Sequence, residues 1–191
     1  MKMLLLRMCR LLRKGRQLFG DRGVQSPIVY SLVRDVVRNR TPFYAYTDLR
    51  PQLCSMGRTD RKEAKLLFRL ANYMQAPVAM LPQDRICLAP FVERGCRKTR
   101  VVAYTVLSLH PSDPLHSLIL VANTDALQQV FTQAEIPDRT AVVVPSIYSC
   151  PAVFRQWQAF IADPRVTLSF DLGYLGLAFI HPAFMKQHYA A

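Results

Sequence analysis

"LANYMQAPVAMLPQDRICLAPF", Leu70 to Phe91, begins with helical periodicity and runs into a short unbroken apolar stretch, Val78 to Leu81. An apolar run without alternation predicts a strand buried on both faces, entered here from a helix that starts near Thr59. The turn that follows is Pro82, Gln83 and Asp84, and no glycine occurs before Gly95. Glycine is what lets a backbone close on a ligand beyond such a strand. Either this turn binds through unusual residues, or it has lost the capacity to bind.

Outward from that strand the chain alternates. Gln83–Gly95 reads as a short helix interrupted near Pro90, and Arg100–Leu109 as a long β-branched and aromatic strand. "HPSDP" is a loop, "HSLILVAN" (His116–Asn123) a strand, and Thr124 or Asp125 caps a helix over Ala126–Ala134. "AVVVPS" (Ala141–Ser146) is a further strand and "PAVFRQWQAFIA" a helix with Pro151 near its start. "RVTLSF" and "GLAFI" form a terminal hairpin, with Gly173 and Gly176 marking the reversal. Strands separated by helices imply a mostly parallel sheet covered on both faces and closed by an antiparallel hairpin.

Upstream, residues 3–19 are an amphipathic helix in which Arg7, Arg10, Arg13, Lys14 and Arg16 interleave with leucines. "GDRG" (Gly20–Gly23) ends it. A second helix follows, with Ser26 as cap, Pro27 at its first position and Ile28, Leu32, Val36 and Val37 on one face. "TPFYAYTDLRP" reads as an extended or turn segment, and a third helix starts with the capping pattern "TDRKE". The organisation is one structural unit: residues 1–75 form a helical extension packed on an α/β domain at 76–191.

At 191 residues, 51% of them hydrophobic, the chain is long enough for one well-filled core and is not disordered. The net charge of +12 is uneven, because residues 1–40 carry ten Lys/Arg against Asp21 and Asp35. No window approaches the ~18 consecutive apolar residues of a membrane span, and basic residues break the apolar runs at the start. A cytoplasmic location is expected. The five cysteines form no CxxC pair, so reduced thiols are expected, with Cys87 buried among apolar neighbours.

"GVQSPIVYSLVRDVVRNRTPFYAY" (Gly23–Tyr46) resembles the "GVHSPFVF…VI…KTPYYAY" opening of a small Bacteroidetes-type group within the class I S-adenosylmethionine-dependent methyltransferases. "AKLLFRLANYMQ" (Ala64–Gln75) is similar to the helix before that group's cofactor strand. "SIYSCPAVFRQWQAFIADPRVTLSFDLGYLGLAFI" (Ser146–Ile180) is similar to its last third, where a helix carrying a Trp leads to a "DL…GL-FF" hairpin. The resemblance implies a Rossmann-like methyltransferase sheet. It covers both ends of the chain and little of the middle.

The family's functional positions lie in that middle. The resemblance implies an acid and a glycine-rich turn after the cofactor strand, where this chain has Leu81, Pro82, Gln83 and Asp84. Proline removes a donor and fixes φ, the reverse of what such a turn uses. An acid implied at the end of the next strand is missing from "VVAYTVLSLH", and the family's "FIDG-H" is replaced by "LVANTD", which puts Ala122 in the acid's place. A further paired acid is replaced by Pro145 and Ser146. Between Leu109 and Ser117 there is too little chain for a βα unit, which takes ~10–12 residues at least. A reduced sheet is therefore expected, lacking one βα unit.

These departures predict a degenerate relative that binds no cofactor and acts as a non-catalytic binding or interaction protein. An alternative is an active methyltransferase whose S-adenosylmethionine site is rebuilt around Asp84, Asn123 and Asp125. In the non-catalytic reading, partners would meet an exposed sheet edge, in a homodimer or with another protein. The basic helix either packs its leucine face on the domain or contacts an anionic membrane or nucleic acid through Arg7, Arg10, Arg13, Lys14 and Arg16. His110, Asp113 and His116 have metal-ligand types in a proline-broken loop and read as surface. Glu93 reads as surface, and Tyr104, Tyr148 and Trp157 as pocket or core aromatics.

Overall fold

The computed structural model describes residues 26–107, 117–123, 126–129 and 136–190, which form an α/β fold around one seven-stranded, mostly parallel sheet. Helix α1 (Pro27–Leu32) starts after Ser26 and widens into a π turn over Val33–Val37. The buried face lies one residue further along than Ile28. Val29, Leu32, Val33 and Val36 pack inward, whereas Ile28, expected on that face, is 48% exposed. The π turn's Val36 carbonyl accepts a bond from Arg69 Nε at 2.7 Å.

The segment expected to be extended instead holds two short helices, α2 (Ala45–Asp48) and α3 (Arg50–Ser55), the second with Pro51 in its first turn. Helix α4 (Arg58–Met74) begins after Gly57 and ends at Gln75 in the left-handed region. Its leucines 66, 67 and 70 are fully buried, each contributing about 1.5–3 kcal/mol. Strand β1 (Val78–Pro82) follows, then a 3₁₀ turn (Gln83–Leu88) and α5 (Ala89–Gly95). Pro90 starts α5 and does not interrupt it. Helices α4 and α5 cross so closely that a Cβ on Gly95 would lie 2.3 Å from the Phe68 carbonyl oxygen.

The remaining strands are β2 (Arg100–Tyr104), β3 (Leu118–Val121), β4 (Thr140–Pro145), β5 (Leu168–Asp171), β6 (Leu175–Ile180) and β7 (Gln187–Ala190). Helix α6 (Pro151–Ala162) precedes β5. The order across the sheet is β2-β1-β3-β4-β6-β5-β7. Only β6 runs against the others, wedged between β4 and β5. Strand β7 pairs in parallel with β5 and extends the sheet beyond the hairpin at which the sequence reading stopped. Gly173, at φ 74°, makes the hairpin turn, whereas Gly176 lies inside β6.

Alternate residues of the central strands feed two cores. Ala79, Leu81, Ile119 and Val143 meet α1, α4 and α5 on one face. Met80, Leu120, Val142 and Val144 meet Trp157 and Phe160 of α6 on the other. Unalternating apolar strands are what a sheet covered on both faces requires.

Candidate functional site

Strands β2 and β3 leave β1 on opposite sides, so the chain changes direction across the sheet at β1. In open α/β sheets the crevice outside the carboxyl ends of the strands at such a point is the usual ligand position. Here the described residues leave a cleft of about 120 Å³ between the ends of β1, β3 and β4. Pro82, Asp84, Asn123, Pro145 and Ser146 are among its walls.

Two of those walls are prolines in ladder positions. Arg100 N–H donates to the Pro77 carbonyl, which turns the even-numbered residues of β1 toward β3. With Met80 opposite Leu120, the donor due to the Val121 carbonyl is the N–H of residue 82. Proline has none. The Tyr104 hydroxyl takes its place, reaching from the end of β2 across β1 to the Val121 oxygen at 2.6 Å. Tyr104 is 6% exposed, and burial raises the pKa of its phenol. On the other side Ala122 N–H donates to Val143, so the matching donor for Ala122 O is due from residue 145, again a proline.

Asp84 is exposed in the first turn of the 3₁₀ segment, next to Arg85. Arg85 Nη1 sits 3.0 Å from Asp60 Oδ1 and 3.3 Å from Glu63 Oε2. Glu63 is 1% exposed, and its second oxygen has no hydrogen-bond partner among the described residues. Burial pushes its carboxyl up to about 7; Arg85 opposes this, and Asp60 and Asp84 add to it. Sequence reasoning missed Glu63. Its signal was an acid three and four residues before Leu66 and Leu67, on the apolar face of the helix.

Asn123 lies on the cleft, but its Oδ1 accepts the Ala126 N–H at 2.9 Å, which makes Asn123 the cap expected of Thr124 or Asp125. Asp125 and Thr124 lie outside the described residues, as do Arg7, Arg10, Arg13, Lys14, Arg16, His110, Asp113 and His116. The cleft thus brings together Asp84 and Asn123 of the three residues proposed for a rebuilt site. Ser146 holds a left-handed φ of 51°, with its N–H bonded to the Tyr174 carbonyl at 3.0 Å. Such a backbone strains a non-glycine residue by about 1–3 kcal/mol.

Glu93 is exposed and lines a separate hollow with Arg94 and Arg97. Cys87 is exposed, contrary to the expected burial, because the 3₁₀ turn points it away from the core, whereas Cys96 is buried and donates to Gln75 Oε1 at 3.3 Å. Trp157 is fully buried, and Tyr148 stacks on Phe154 and donates to Asp171. Among the described residues no cluster of His, Cys, Asp and Glu is arranged to hold a metal. No described helix is long and apolar enough to cross a membrane.

Compared with models of known protein families and with curated proteins, the chain matches none.

Proposed function

We propose that the chain is a degenerate relative of the class I S-adenosylmethionine-dependent methyltransferases that works as a non-catalytic binding or interaction module without normal S-adenosylmethionine binding. Three features support the ancestry. A helix, α4, leads into the strand at which the sheet changes direction. After β4 the sheet carries the antiparallel β5–β6 hairpin. Between β2 and β3 lie only residues 105–117, where the resemblance implies a further βα unit.

The observation that carries the loss of cofactor binding is the cleft itself. Its volume of about 120 Å³ falls below the ~300–1,000 Å³ typical of small-molecule sites. No glycine stands in the turn after β1, and Tyr104 is committed to Val121 at the end of β2, where the family's ribose-binding acid would stand. Among the described residues β2 is an edge strand, and its outer side is the contact surface of this reading, for a second copy or another protein.

Calorimetric titration of S-adenosylmethionine and S-adenosylhomocysteine, with melting curves alongside, tests this directly. A ligand at 100 times its Kd stabilises by ~2.7 kcal/mol, a shift that a melting curve records. Absence of heat and of shift at millimolar ligand is the expected result. Micromolar binding would overturn the reading in favour of a site rebuilt around Asp84 and Asn123.

A further inference from the structure

A second cleft, of about 1,030 Å³, opens between the chain after the π turn, one face of α4 and the β5–β6 turn. Five cationic side chains line it, Arg38, Arg40, Lys62, Lys65 and Arg69, and among the described residues no acidic one does. Lys62, Lys65 and Arg69 are three and four residues apart on α4, so they share a face over about 10 Å of helix. Among the described residues Arg40, Lys62, Lys65 and Arg69 enter no ion pair. Arg69 is held in place through its Nε bond to Val36.

Two tyrosines complete the cleft. Lys62 Nζ lies 5.3 Å from the Tyr174 ring centroid, and Lys65 Nζ lies 5.1 Å from that of Tyr46. Burial raises the pKa of both phenols, so neither supplies a negative charge at neutral pH. Like charges gathered in a recess repel one another and focus a positive field outward. A bound polyanion relieves that repulsion.

We propose that this cleft binds the phosphate backbone of a single-stranded nucleic acid, with Lys62, Lys65 and Arg40 on phosphates and the Tyr46 and Tyr174 rings beside bases. A cationic groove interleaved with aromatic faces is the arrangement that binds single strands without sequence preference. The volume of the recess exceeds what one small anion fills. The two clefts share no lining residue, so the inference stands whatever occupies the strand ends.

The test is fluorescence anisotropy of a labelled ten-nucleotide uridine RNA with the full chain, between 50 and 200 mM salt. Saturable binding is expected, weakened at least tenfold by Lys62→Gln/Lys65→Gln. Removal of two phosphate contacts lowers the slope of log K against log salt by about 1.4. Arg40→Gln, in the loop and away from the core, lowers it by about 0.7. Arg139→Gln/Arg155→Gln, with both residues exposed outside the cleft, leaves affinity within twofold. No saturable binding, or binding unchanged by the Lys62 and Lys65 substitutions in a folded variant, overturns the proposal. So does stronger binding to inorganic tripolyphosphate or to anionic phosphatidylserine vesicles than to the RNA.

Discussion

The hydroxyl of Tyr104 donates to the carbonyl of Val121 across the end of β1, in the place of an amide that Pro82 lacks. The two residues behave as a substitution for each other. Tyr104→Phe leaves a buried carbonyl without a donor and is expected to cost about 1–3 kcal/mol in urea denaturation. Pro82→Ala restores an N–H in ladder position, so Tyr104→Phe in that background costs measurably less. Equal losses in both backgrounds would show that the amide cannot reach Val121.

Glu63 makes stability depend on pH in an unusual sense. Its folded pKa of about 7 lies above the ordinary 4.5, so the folded state keeps a proton that the unfolded chain releases between those values. Stability is therefore full below about pH 4.5 and falls as pH rises toward 7, by roughly 3 kcal/mol for a fully buried carboxyl. Glu63→Gln is expected to flatten that part of the curve and to be the more stable protein at pH 8. Chemical denaturation at intervals between pH 4 and 8 measures both, and parallel curves for the two proteins would refute the assignment.

Gly176 and Trp157 touch without room for a methyl group. A Cβ on Gly176 would lie 2.7 Å from the indole ring, which is fully buried. Gly176→Ala should destabilise by about 1–3 kcal/mol through overpacking and shift the emission of the single tryptophan. Trp157→Phe in the same chain relieves the clash and removes an indole N–H that has no partner among the described residues. Partial recovery of the melting temperature is the expected outcome.

The edge of β2 offers a clean test of self-association. Because Arg100 N–H faces β1, the N–H of Ala103 faces outward. Ala103→Pro removes an edge donor without breaking the internal ladder. If two copies join there, sedimentation velocity finds dimers of the parent and monomers of the variant, with similar melting temperatures.

Much of the sheet was legible because its chemistry is local. Val78–Leu81 and Ala141–Val144 are apolar at every position, and only burial on both faces explains that pattern. Strand β7 was not legible: "QHYA" is polar enough for a loop and becomes a strand through its pairing with β5. The helices α2 and α3 were hidden by aromatic and proline residues that favour turns in isolation. At the cleft, Pro82 was visible as a lost donor, but its replacement by Tyr104 depends on the order of β2, β1 and β3 in space. Asn123, named for a rebuilt site, also caps the helix after β3, a role the sequence reading gave to Thr124 or Asp125, because capping and binding residues look alike in sequence.

Strand β6 carries a consequence for how the sheet comes apart. It alone joins β5 and β7 to the four parallel strands, through β4 on one side and β5 on the other. Among the described residues those two outer strands have no other hydrogen-bonded route to the rest of the sheet. A chain pulled from its C-terminal side would shed β7 and then β6, and with β6 gone β5 has lost both partners before the parallel half yields.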